Sequence, residues 1–141
     1  MENSINEYDE YVMYPGRFQP PHNGHISIFE ESLKRGKKIC IAIRNVNPDE
    51  KNPLYAATVK MLWEKVYADN PMVKVIIIPN ISAIKYGRTV GYSIEEIIVP
   101  PNIAGISATE IRNSIKQGSD SWKENVSPLI WEDLKELLAE Y

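Results

Sequence analysis

Apolar residues along this 141-residue chain follow two rhythms. Short solid runs, YVMY at 11–14, ICIAI at 39–43 and VKVIII at 73–78, alternate with stretches where apolar residues recur every three or four positions. The runs have the length of strands, and ICIAI is apolar on both faces, as in a strand buried within a parallel sheet. The first run is stopped by Pro15 and Gly16. The periodic stretches predict helices. One is capped by Asn23 or a neighbour, buries Ile26, Phe29 and Leu33, and runs to Arg35 with Gly36 as its stop. The next opens at Asn52 and Pro53, turns Val59, Leu62, Trp63 and Val66 inward, and continues to about Ala68, before Pro71 breaks the chain. A third is predicted over 108–117. The last is opened by Ser127 and Pro128 and is amphipathic through Ile130, Leu134, Leu137 and Leu138. Between 79 and 101 the pattern supports at most a short strand over 95–99.

Strands alternating with helices call for right-handed crossovers, a parallel sheet and helices on both faces. The expected class is therefore α/β, a Rossmann-like doubly wound parallel sheet. Residues 1–10 read as a flexible, polar N-terminal tail, and 11–141 as one domain. The chain is 43% hydrophobic, enough to build a core without a disulfide or metal staple. Its net charge of -3 argues against nucleic-acid or anionic-membrane partners, so an anionic ligand has to be met by a local cluster of positive groups. Cys40 is the only cysteine, which excludes an internal disulfide and a cysteine zinc site and suits a reducing compartment. No stretch reads as a signal peptide or membrane span, so the expectation is a cytoplasmic protein.

Two places carry candidate chemistry. GRFQPPHNGH, residues 16–25, follows the first strand and leads into the first helix. Ligands of parallel sheets bind beyond the carboxyl ends of the strands, and a helix N-terminus there favours an anion. The loop delivers Arg17, His22 and His25, with Gly24 allowing close backbone approach, and it holds both histidines of the chain. Such a set suits a phosphate that gathers charge in phosphoryl or nucleotidyl transfer. A histidine in a loop is more often a surface or structural residue, and HxxH without a third ligand is a weak metal signal, so no protein metal site is expected. The second place is ISATEIR, 106–112. Ser107 and Glu110 fit a capping box and Ile106 and Ile111 a hydrophobic staple, so a helix starts at Ala108 whatever the function. The hydroxyls of Ser107 and Thr109, with Arg112 one turn in, suit a second phosphate cluster. Taken alone this segment reads as structural; only its pairing with the histidine loop favours phosphate. Trp63, Trp122 and Trp131 sit at helical positions and read as core.

GRFQPPHNGH followed by ISATEIR resembles the HxGH nucleotidyltransferase superfamily, and the first element is especially similar to archaeal-type nicotinamide-mononucleotide adenylyltransferases. The HxGH hallmark falls on His22, Asn23, Gly24 and His25, and the ISxTxxR signature on Ile106, Ser107, Thr109 and Arg112. NPLYAATVKM at 52–61 and IIIPNI at 76–81 are similar to that family's second-helix opening and third-strand exit. The resemblance implies the HxGH nucleotidyltransferase fold and the transfer of AMP from ATP, carried with Mg2+, to a phosphate-bearing acceptor, nicotinamide mononucleotide, releasing pyrophosphate. It implies that His22 and His25 stabilise the transition state, that Gly16, Arg17, Phe18 and Gly24 bind the nucleotide, and that Ile106, Ser107, Thr109 and Arg112 hold its outer phosphates. The stretch 82–105 is shorter than the family's, and KYGRTVGYSIEEI stands where a Gly-Asn element is usual. Arg88 is expected near the nucleotide. Arg44, at the end of the second strand, is a candidate acceptor or phosphate contact. Members are commonly oligomeric, which admits a homo-oligomer, although no interface is legible. Two alternatives remain open: a CTP-dependent cytidylyltransferase acting on a phosphoalcohol such as glycerol phosphate, faintly echoed by RTVG at 88–91, and a nucleotide-binding module that does not catalyse.

Overall fold

The computed structural model describes residues 8–88 and 91–139. Most of the expected tail, 1–7, and the Thr89–Val90 pair of the RTVG echo lie outside the described residues. Three strands, β1 (Tyr11–Gly16), β2 (Lys38–Arg44) and β3 (Val73–Ile78), form a parallel sheet in the order β1-β2-β3. In register, Tyr14 of β1 faces Ile41 of β2, which faces Val75 of β3. The central strand is buried on both faces, as its apolar run predicts. Ile39, Ile41 and Ile43 join the main core, while Cys40 and Ala42 are buried on the opposite face. β1 runs two residues past its apolar run, through Pro15. Proline is tolerated there because β1 is bonded on one side only.

Helices α1 (Asn23–Lys34) and α2 (Ala56–Val66) connect the strands and lie on the same face, where Phe29 meets Trp63 with ring centroids 5.2 Å apart. A strand order that advances in one direction puts successive right-handed crossovers on one side. A second helical layer needs the chain to return to the other edge of β1, and 79–100 forms no strand or helix among its described residues. The expected strand at 95–99 is absent, and Ile94, Ile97 and Ile98 are exposed. The parallel α/β, Rossmann-like plan thus stands with helices on one face of the described sheet. After a short α3 (Pro101–Ala104) come α4 (Ala108–Lys116), 3-10 turns at Ser121–Asn125 and Pro128–Ile130, and α5 (Trp131–Leu138). The core draws on residues from Phe18 to Leu138. It includes Trp63 and Trp122, with Trp131 packed against it.

One helix start differs from expectation for a reason visible in the hydrogen bonds. α2 begins at Ala56, not at Asn52 and Pro53. The Asp49 carboxylate holds the backbone N–H groups of Lys51 and Asn52 in a turn, at 2.9 and 2.7 Å. The main chain of Leu54 is bonded to the Gln19 side chain, which withdraws it from any helical ladder. At α1 the cap is His22, the neighbour of Asn23. At α4 the expected cap is in place: the Ser107 hydroxyl accepts from Glu110 N–H at 3.2 Å.

Candidate active site

The loop from β1 to α1 is held by its own aromatic residue. Phe18 adopts a left-handed backbone conformation (φ 52°), which costs a non-glycine residue about 1–2 kcal/mol. Its ring is only 7% exposed and packs edge-on against His25, Phe29 and Trp63. Burying such a ring stabilises by roughly 1.5–3 kcal/mol, enough to offset the backbone cost. A Cβ on Gly16 would come within 2.7 Å of that ring, so the glycine is required by packing. Phe18, read from the sequence as a nucleotide contact, has its side chain in the core, which leaves its main chain for any such contact.

His22 and His25 cap the helix that they introduce. Gly24 N–H donates to His22 Nδ1 at 3.0 Å, and His22 N–H donates to His25 Nδ1 at 3.1 Å, a reciprocal capping box built from two imidazoles. An Nδ1 that accepts a hydrogen bond carries no proton, so this pattern assigns the neutral Nε2–H tautomer to each ring. Both Nε2–H groups are left outside the cap. The rings stack, with centroids 3.7 Å apart and planes 20° from parallel. Burial lowers the His22 pKa to about 4. Burial, and then the neighbouring His22, lowers His25 well below the ordinary imidazole value. The positive end of the helix dipole acts in the same direction. At neutral pH the pair therefore offers uncharged donors. A Cβ on Gly24 would fall 2.7 Å from the His22 ring and only 3.7 Å from Ile106, so this glycine lets the imidazole fold back over the first turn and brings α1 against the second motif.

A consequence for stability follows from the sign of these shifts. An unfolded chain takes up imidazole protons near pH 6.5, whereas folded His22 resists until about pH 4. Stability is then complete above pH 6.5 and falls through the window from 6.5 to 4, by about 3 kcal/mol for His22 alone. Urea midpoints of the wild type should drop across that window more steeply than those of a His22→Asn, His25→Asn double variant. Equal slopes would show that the imidazoles are not held neutral.

The fixed positive charge comes from α4. Arg112 is 6% exposed; its Nη1 donates to the Gln19 carbonyl at 2.7 Å and its Nη2 to Thr109 Oγ1 at a long 3.4 Å, while Nε has no partner. Among the described residues none of the ion pairs involves Arg112. A buried guanidinium without a counter-charge is costly, by several kcal/mol, and an anion beside it repays that cost. Residues more than ninety positions apart in sequence thus meet through Arg112 and Gln19, with Gln19 three residues ahead of His22.

The remaining candidates are spread around the carboxyl end of the sheet. Ser107 is half-buried at its cap, Thr109 is exposed, and Ile106 packs against the core. Arg17 is exposed. It is near enough to Asp49 to help lower that carboxylate's pKa, although the Asn52 backbone N–H is the main cause. Arg44 is half-buried, with Nη2 bonded to Asn80 Oδ1 at 2.9 Å and Ile81 O at 3.0 Å, and with Nε unpartnered. Arg88 lies in the exposed irregular segment, and no described contact joins it to the histidine loop. A hollow between the end of α2 and β3, lined by Tyr67, Asp69, Asn70 and Val73 among others, is at the opposite, amino end of the sheet and shares none of these groups. Among the described residues no three of His, Cys, Asp and Glu gather as metal ligands, and no helix is long and apolar enough to cross a membrane. Gln19 was passed over by the sequence reading: a lone glutamine between Phe and Pro obeys no spacing rule.

Residues 13–76 match the cytidylyltransferase-like family model. The chain is 26% identical to a nicotinamide-nucleotide adenylyltransferase of Ignicoccus hospitalis, with 89% of this chain and 91% of that protein covered. Identity is 29% to an enzyme of the same name from Pyrobaculum arsenaticum, with 89% and 87% covered. Over most of its length the chain is similar to nucleotidyltransferases, at low identity. The resemblance read from HxGH and ISxTxxR therefore holds over most of its length, at low identity. A phosphopantetheine adenylyltransferase of Natranaerobius thermophilus is 46% identical over 44 residues, which span 31% of this chain and only 26% of that protein. The family match lies on the segment that carries the histidine loop.

Proposed function

We propose that the protein transfers AMP from ATP to the phosphate of nicotinamide mononucleotide and releases pyrophosphate. An acceptor phosphate oxygen attacks the α-phosphorus, and the bond from that phosphorus to the bridging oxygen breaks. The electron pair leaves with pyrophosphate, so no covalent enzyme intermediate is required. The observation that carries this reading is the buried, uncompensated Arg112 guanidinium tied to the loop of the two imidazoles. In this reading the Nε2–H groups of His22 and His25 bond the α-phosphate oxygens as charge develops on them. Arg112, with the hydroxyls of Ser107 and Thr109, holds the departing phosphates. The main chain at Gly16, Phe18, Gly24 and Ile106 lets the nucleotide lie close. Arg17 helps to bind the nucleotide's phosphates, and Arg44, at the end of β2, meets the acceptor phosphate. Mg2+ would enter with the triphosphate as part of the substrate and would supply neutralisation of its charge. We place the reaction in the cytoplasm and leave room for a homo-oligomer.

The adenylyl reading is favoured over cytidylyl transfer by the names of the full-length relatives, whereas the family description alone suits either. The deciding experiment measures pyrophosphate release with each nucleoside triphosphate in turn, with nicotinamide mononucleotide, phosphopantetheine or glycerol phosphate as acceptor. Release confined to ATP with nicotinamide mononucleotide is expected. CTP-specific release with a phosphoalcohol would replace the reading with the cytidylyl one, and tight ATP binding without turnover would reduce the protein to a nucleotide-binding module.

A further inference from the structure

We infer that Gln19 is a positioning residue that fixes the direction in which the Arg112 guanidinium faces, by clamping the start of α2 with its amide and accepting from Arg112 with its own carbonyl. The inference rests on the reading of Arg112 as a phosphate ligand given above. Gln19 is 5% exposed, between the left-handed Phe18 and Pro20. Its Nε2 donates to the Leu54 carbonyl at 2.9 Å, and its Oε1 accepts from Leu54 N–H, also at 2.9 Å. Its main-chain carbonyl accepts from Arg112 Nη1 at 2.7 Å. One residue thus joins the lead into α2, the histidine loop and α4.

The geometry favours a directing role over simple space filling. An apolar side chain would fill the same volume without burying an amide, and a buried amide is worth keeping only if both of its ends are bonded, as they are here. Pro20 has no N–H, so the 19–20 peptide unit has no donor of its own to anchor it. Its orientation therefore depends on the amide clamp on one side and on Arg112 on the other. Of the Arg112 donors, Nη1 alone makes a short bond, Nη2 makes a long one, and Nε makes none. The Gln19 carbonyl is thus the contact that sets the plane of the guanidinium fork. Releasing the clamp frees the carbonyl and lets the fork rotate.

The test is titration of inorganic pyrophosphate into the full chain by calorimetry, with thermal unfolding recorded for every variant. Gln19→Met, close in length and lacking the amide, should weaken pyrophosphate binding about tenfold, and Gln19→Met combined with Arg112→Ala should bind no more weakly than Arg112→Ala alone. Loss of stability by itself would not produce that non-additivity. Wild-type affinity in a folded Gln19→Met variant, or losses that add in full, overturns the assignment while leaving Arg112 as a ligand. A wild-type chain that takes no pyrophosphate overturns this assignment and the proposed function together. Should Gln19→Met not fold, Gln19→Leu also removes the amide without adding charge; in the folded variant, weakened binding that Arg112→Ala does not deepen supports the role, and unchanged binding refutes it.

Discussion

Replacing His25 by alanine is expected to lower kcat by about 10²-fold or more, with a smaller loss of ATP affinity. His25 makes its cap bond through Nδ1, so its Nε2–H is the group left for a substrate. That donor gains strength as negative charge collects on the reacting phosphate, which is why the loss should fall on kcat. The substitution also removes one bond of the capping box, worth about 1 kcal/mol. A tenfold change in rate corresponds to about 1.4 kcal/mol, so a hundredfold loss exceeds what the cap alone explains. Steady-state rates of pyrophosphate release, taken well below the melting temperature of the variant, provide the check. A folded His25→Ala protein with wild-type kcat would remove the imidazole from the chemistry and leave it a capping role only.

Arg112→Ala should act on binding instead. Truncating one partner of a buried, hydrogen-bonded charge pair costs roughly 2–5 kcal/mol, so the dissociation constants for ATP and pyrophosphate should rise between about thirtyfold and several thousandfold. Without ligand the effect on stability should be slight. The change deletes a buried cation that has no counter-charge, and this relief opposes the loss of the bond to Gln19. The melting temperature of the apo variant should therefore stay near that of the wild type, while the rise that saturating pyrophosphate gives the wild type disappears. A variant that melts far lower and yet still gains stability from pyrophosphate would make Arg112 a structural residue.

Much of this site was legible before any coordinates, because its parts obey local rules. The 108 helix start could be placed from Ser107 and Glu110, since capping is decided within four residues. β2 could be placed by its unbroken apolar run. The start of α2 could not be, because Asn52 and Pro53 make a plausible cap until Gln19, 35 positions away, takes the main chain of Leu54. The cap of α1 could be placed only to within a residue, at Asn23 or a neighbour: imidazole is a rare capping group, and the asparagine beside it is a common one. Arg88 has no such local rule to place it, because an arginine goes where its element takes it and the described segment around it is irregular. The convergence of the two motifs was expected from the resemblance. The contact that joins them, from Arg112 Nη1 to the Gln19 carbonyl, appears only in three dimensions.

The reciprocal cap has a consequence for how this protein ages under heat or denaturant. Its two donor rings owe both their tautomer and their direction to amide protons that are in place only while the first turn of α1 is wound. If the imidazoles bond the reacting phosphate as proposed, fraying of that single turn would end turnover while the β-sheet stayed native, so loss of activity should precede loss of the sheet's signal and reverse on cooling.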